Sequence, residues 1–110
     1  MFVDAGDLTV PEESAAARAA IRAGVRAELD RGGRPLVLGG DHAVSLPVME
    51  AVHAAHGPVT VLHVDAHPDL YDEFEGDRYS HACPFARIME AGLARRLVQV
   101  GIRAATGHQR

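Results

Sequence analysis

Val59-Thr60-Val61-Leu62-His63-Val64-Asp65-Ala66-His67-Pro68-Asp69 is the stretch from which the fold can be read. Its first six residues are rich in β-branched side chains, which fit a pleated, packed surface, and predict a strand over 59–64. Gly57-Pro58 breaks the chain just before it. Upstream, Val44, Val48, Met49 and Val52 recur at helical spacing and predict a helix over about 43–56. Before that helix, Pro35-Leu36-Val37-Leu38 reads as a short buried strand closed by Gly39-Gly40. A first helix is predicted from near Pro11, with Glu12 and Glu13 suited to its positive end. Ile21, Val25 and Leu29 give it an apolar stripe, and Gly32-Gly33 stops it. Residues 1–4 read as the end of a strand. Downstream, 65–83 hold no sustained period and read as a loop, 84–92 as a helix closed by Gly92, and Leu97–Val100 as another strand.

Strands alternating with helices imply an α/β fold, a parallel sheet with helices on both faces in three layers. With 110 residues there is room for one domain, 1–110. That domain reads as partial, because the chain opens inside an apparent strand and stops soon after another, at Gly107-His108-Gln109-Arg110.

Composition narrows the function. The 15 acidic residues outnumber 11 basic ones, all arginine, for a net charge of −4, which argues against nucleic acid as a partner. No apolar run reaches the roughly 18 residues of a membrane helix. The single Cys83 forms no internal disulfide, which reads as a cytoplasmic protein.

In open parallel sheets ligands bind beyond the carboxyl ends of strands. Gly39-Gly40-Asp41-His42 and Asp65-Ala66-His67-Pro68-Asp69 both fall at such ends. Asp65, His67 and Asp69 at i, i+2 and i+4 point the same way while the chain stays extended, about 6.6 Å apart in an ideal strand. If the two strands are neighbours, His42 reaches the same point. Carboxylates alternating with imidazoles suit a Mn²⁺-type cation, whereas cysteines would suit zinc. Asp41 reads equally as a helix cap or as support for the site. His63 reads as packed or hydrogen-bonded within its strand rather than as a ligand. His53 and His56 read as a solvated face, His108 as uninformative, and Cys83 as packing rather than a nucleophile. The Arg18, Arg22, Arg26 stripe reads as a solvated face or an interface. The acidic loop 72–77 reads as solvated or as steering a cation.

The two motifs, in this order, resemble the metal-binding pair of the ureohydrolases, the arginase and agmatinase family. The resemblance continues through Leu70-Tyr71-Asp72-Glu73-Phe74, Tyr79-Ser80-His81-Ala82-Cys83-Pro84-Phe85 and Val98-Gln99-Val100-Gly101-Ile102-Arg103, and looks closest to the agmatinase branch. It implies a three-layer α/β/α domain with two Mn²⁺. His42 would bind one metal and His67 the other, Asp65 would bridge them, and Asp69 would bind beside a metal-bridging hydroxide. That hydroxide would attack a small cationic guanidino substrate, most simply agmatine, giving urea and putrescine. Asp69 would take up a proton and His81 would assist proton transfer to the leaving amine. The resemblance also implies a homo-oligomer and a place in polyamine biosynthesis. The family's further Asp-x-Asp pair has no counterpart after Asp69. The expectation is therefore a chain that binds manganese weakly and does not turn over alone. The alternatives are another ureohydrolase (guanidinobutyrase, formimidoylglutamase or arginase), a histone-deacetylase-like zinc amidase, and a non-catalytic truncated pseudoenzyme acting as an interaction module.

Overall fold

The strand at 59–64 has the expected bounds in the computed structural model, which describes residues 1–109 without the side chain of His108. The readings at His108 and Arg110 lie outside what is described. β1, Val59–Val64, pairs in parallel with β2, Ala94–Val100, aligning Val61 with Leu97, His63 with Gln99 and Val64 with Val100. A register shift falls between Val59 and Thr60. β2 begins three residues before the predicted 97, because Ala94-Arg95-Arg96 extend along β1 although their charge hides the strand pattern.

Three helices complete the described residues: α1, Ser14–Asp30, α2, Ser45–His56, and α3, Pro84–Glu90. α1 starts after the predicted Pro11. Glu13 is its cap, accepting from the backbone N–H groups of Ala15 and Ala16 at 2.9 and 2.7 Å, bonds that lower its carboxyl pKa. α2 follows a short 3-10 turn over His42–Val44 and ends at Gly57, whose φ of 73° favours glycine. Leu46, Pro47 and Ala51 are its buried residues, and of the stripe read from Val44, Val48, Met49 and Val52 it is Met49 that packs against the core. Pro84 opens α3, where a missing N–H costs nothing.

The core is small and sits where α2 and α3 meet the inner sheet face. Leu46, Phe85, Ile88, Leu93 and Ala94 are buried together, with Met49, Val61, Leu70 and Leu97 against them. Burial alternates along β1, so Val61 and His63 face this core. The other face is apolar and open, with Leu62 at 67% and Val64 at 72% exposure. α1 packs on α2, tied by Arg22 to Glu50 at 2.7 Å. The arginine stripe of α1 is thus engaged rather than merely solvated. Arg18 stacks 3.9 Å over the Tyr79 ring, and Arg26 pairs with Asp30 at 2.7 Å.

Two predicted strands are not formed. Residues 1–4 and 36–38 have no ladder partner among the described residues, and Leu36 and Leu38 are 70% and 87% exposed. A strand needs a neighbour for its N–H and C=O groups, and an apolar run alone supplies none. The expected adjacency of 36–38 to β1 is therefore replaced by another route. His42 reaches the site through the 3-10 turn and α2, both of which pack against α3.

Gly101 closes β2 with φ +90°, and a Cβ there would lie 3.1 Å from the carbonyl oxygen of Asp65. Gly101→Ala is expected to destabilise the chain by about 1–3 kcal/mol, from the strained φ alone. A lowered urea midpoint at unchanged slope is the check. An unshifted midpoint would show that the backbone at Gly101 relaxes out of the positive-φ region at no cost.

Candidate metal centre

Asp65 is held at the sheet's end by its own backbone N–H, which donates to Val100 O at 3.1 Å. Its Oδ1 accepts from the His67 backbone N–H at 2.8 Å, forming a side-chain turn typical of aspartate. That bond is the main cause holding the Asp65 carboxyl below the usual carboxylate range, against a smaller desolvation effect. Pro68 is buried, and at Asp69 the backbone enters the left-handed region, φ 49°, which aspartate tolerates better than most residues. Asp69 O then accepts from the Phe85 N–H at 3.1 Å, anchoring the loop to α3.

This backbone path decides where the predicted residues go. Asp69 turns inward, its side chain only 11% exposed, and its Oδ2 lies 2.5 Å from His42 Nδ1. His42 is capped in its turn by Asp41, whose Oδ1 accepts from the Ala43 N–H at 3.0 Å. Asp41 is thus a cap. Asp65 Oδ2 lies 3.9 Å from His42 Nδ1 and 3.5 Å from His63 Nε2. His42, His63, Asp65 and Asp69 each offer a donor atom, all within 4.8 Å of one another. His67 is not in this group of four. Its exposed ring lies beside the other oxygen of Asp65, Nδ1 3.4 Å from Oδ1. The i, i+2, i+4 alignment fails there because the extended conformation ends at Val64.

Sequence reasoning placed His63 near the site without giving it a donor role, and it passed over Gln99. Both face the same way on paired strands, a relation that parallel register alone creates. The His63 ring packs 4.1 Å from the Phe85 ring and 5.3 Å from that of His42. Burial, followed by the neighbouring His42, pushes its pKa below the ordinary imidazole value. Its Nε2 is buried without a hydrogen-bond partner.

His81 is exposed and borders the same open cleft, about 370 Å³, as His42, Asp65, His67 and Asp69. Its ring meets that of Phe74 edge-on at 5.5 Å, and its Nδ1 lies 4.0 Å from Asp41 Oδ2. The adjoining wall carries Glu12, Asp41, Glu75 and Asp77, with no arginine among its described lining residues. The loop bearing His81 is tethered to α3 by Arg87, which is buried and donates to Asp72 O at 2.9 Å and Asp72 Oδ1 at 2.6 Å. Arg78 binds the same carboxylate at 2.7 Å, so Asp72 is paired rather than free to steer a cation. Cys83 is fully buried, and burial pushes its thiol pKa up, which suits packing and not nucleophilic attack. His53 and His56 stay on α2 away from the site; His53 is half-buried, not solvated, with Nδ1 shielded and unpaired.

Imidazole nitrogens and carboxylate oxygens without a thiolate, with donor atoms all within 4.8 Å of one another, fit a Mn²⁺-type cation. Among the described residues these groups supply four donors.

Comparison with known proteins supplies the context. Residues 1–110 match the family model described as the Arginase family. A mitochondrial arginase of Medicago truncatula is 67% identical over 78 residues, 70% of this chain and 23% of that protein. The solved arginase from the same plant superposes with a TM-score of 0.84 at 55% identity, covering 87% of this chain and 31% of that one. Arginase 2 of Arabidopsis thaliana, chloroplastic/mitochondrial, is 67% identical over 72 residues, 64% of this chain and 21% of that protein. A Trypanosoma cruzi formiminoglutamase solved with Mn²⁺ superposes with a TM-score of 0.77 at 31% identity, covering 96% of this chain and 35% of that one. The chain thus spans about a quarter of the length of these curated relatives. The α/β, arginase-like fold class holds. The expected closeness to agmatinases is not supported, since the relatives at 67% are arginases. The cytoplasmic placement is overturned by the same relatives, which are organellar. A lone cysteine cannot form an internal disulfide in any compartment, so it does not separate one compartment from another.

Proposed function

Because the chain belongs to the arginase family, we propose that it forms part of a Mn²⁺-dependent hydrolase that cleaves a linear guanidino compound to urea and an amine. One observation carries the reading. The two oxygens of Asp65 face different imidazoles, Oδ2 towards His42 and His63 and Oδ1 towards His67, so one carboxylate can serve two cations. In this reading His42, Asp65, His67 and Asp69 would hold the Mn²⁺ ions, His42 and Asp69 on one side of Asp65 and His67 beside its other oxygen. Bound Mn²⁺ supplies Lewis acidity that brings the pKa of water towards neutrality. Asp69 faces the cleft and receives the proton lost as the guanidinium carbon gains its oxygen. His81, across the same cleft, gives a proton to the amine nitrogen as the carbon–nitrogen bond breaks.

L-Arginine is the first substrate reading, supported by the identity to plant arginases. Agmatine is the second, supported by the acidic wall of Glu12, Asp41, Glu75 and Asp77, which suits a cationic chain and carries no arginine among its described lining residues to pair with a substrate carboxylate. Urea release by the Mn²⁺-loaded complete enzyme of which this chain forms part tests both. The first reading expects kcat/KM at least about tenfold higher for arginine, equivalent to about 1.4 kcal/mol. A preference for agmatine would transfer the assignment to the second reading. No urea from either would remove the proposal.

A further inference from the structure

His63 is open to two roles at this centre, since its buried Nε2 sits 3.5 Å from Asp65 Oδ2 among the four candidate donors. With a lone pair on Nε2 it would be a ligand. With a proton there it would brace Asp65. Gln99 decides between them. Its Nε2 lies 2.6 Å from Pro68 O and 3.0 Å from His63 Nδ1. A backbone carbonyl only accepts, so the Gln99 atom beside it is the amide nitrogen; the flipped amide would set two acceptor oxygens 2.6 Å apart. The amide nitrogen has two hydrogens. One goes to Pro68 O, and the other reaches Nδ1, which must then be the accepting nitrogen of a neutral ring. The ring proton therefore sits on Nε2, which forms no hydrogen bond in this geometry and has Asp65 Oδ2 3.5 Å away.

We infer that His63 is a positioning residue for Asp65 rather than a metal ligand, and that Gln99 sets this by fixing the His63 tautomer and the Pro68 turn together. Register explains why the pair can do so. His63 and Gln99 are aligned on neighbouring parallel strands, and Pro68 lies one residue before Asp69. A single amide thus ties β2 to the loop carrying Asp69 and to the ring that faces Asp65. His63 itself is clamped, 6% exposed and packed against Phe85.

This inference rests on the metal-centre reading, and the test separates the two. Two-bond ¹⁵N correlation spectra of the metal-free protein report the tautomer without any metal. The expected result is Nε2 protonated and Nδ1 bare at His63, with that preference lost in Gln99→Ala. A parent protein with the proton on Nδ1 would overturn the inference whatever Mn²⁺ does. The second readout is Mn²⁺ affinity. His63→Ala is expected to weaken it by about 10–100-fold, the usual loss when a ligand's support is removed, and His63→Gln, whose amide nitrogen can replace the Nε2–H donor, to recover most of that loss. If His63→Gln binds as poorly as His42→Ala, His63 is a ligand and the inference fails. A parent that binds no Mn²⁺ would count against the metal-centre reading alone, leaving the tautomer result to stand or fall by itself.

Discussion

Asp65→Asn is expected to weaken Mn²⁺ binding by at least about 100-fold and to abolish Mn²⁺-dependent urea release, while leaving the fold nearly untouched. The separation follows from what each oxygen of Asp65 does. The backbone role belongs to Oδ1, which accepts from the His67 N–H at 2.8 Å. An asparagine carbonyl can accept the same bond, so the turn after β1 survives. The charge is what asparagine removes. Asp65 lies between His42, His63 and His67, and its carboxyl is held below the usual carboxylate range chiefly by the His67 N–H bond. An amide in that place supplies one neutral oxygen where two charged ones face two directions, and a hard cation is bound chiefly by charge. Electron paramagnetic resonance titration of free Mn²⁺, run beside a urea denaturation curve, reads both quantities. Unchanged affinity would mean that Asp65 does not touch the metal, and the bridging assignment would go with it.

How much of this was legible beforehand depends on whether a feature is local. β1, α2, α3 and the loop between them follow from periodicity and from glycine and proline punctuation, and their observed bounds lie close to the expected ones. The residues at 36–38 carry as strong an apolar signal as β1 and yet form no strand, because pairing depends on a neighbour and not on the segment. The site divides the same way. His42, Asp65 and Asp69 were visible as residue types at strand ends, and they do converge. The outward turn of His67 was not visible, since it follows from a side-chain turn at Asp65 and a left-handed φ at Asp69. Gln99 was invisible for another reason. A lone glutamine inside Leu97-Val98-Gln99-Val100 looks like an outward-facing position, and only the parallel register turns it towards His63.

Phe85→Ala should be the most damaging single change to the fold, costing about 3–5 kcal/mol against the 5–15 typical of a whole domain. Phe85 is 4% exposed, in the cluster with Leu46, Ile88, Leu93 and Ala94. Its ring also packs against the candidate centre, 4.1 Å from that of His63 and edge-on to that of His42 at 5.7 Å. Its N–H holds Asp69 O. Losing the ring leaves a cavity under two imidazoles, so Mn²⁺ affinity is expected to fall along with stability. Since the alanine variant can lose the fold outright, Phe85→Leu provides the sharper comparison. Leucine keeps most of the apolar volume and all of the backbone bond, but no flat face for His63 to stack on. Thermal denaturation should therefore recover most of its midpoint in Phe85→Leu, while Mn²⁺ affinity stays below that of the parent. Parental affinity in a well-folded Phe85→Leu would show that packing density, not the aromatic face, orients the histidines. In that case the position of His42 would rest on its bond to Asp69, and the site would be held by its own carboxylates rather than by the core beneath it.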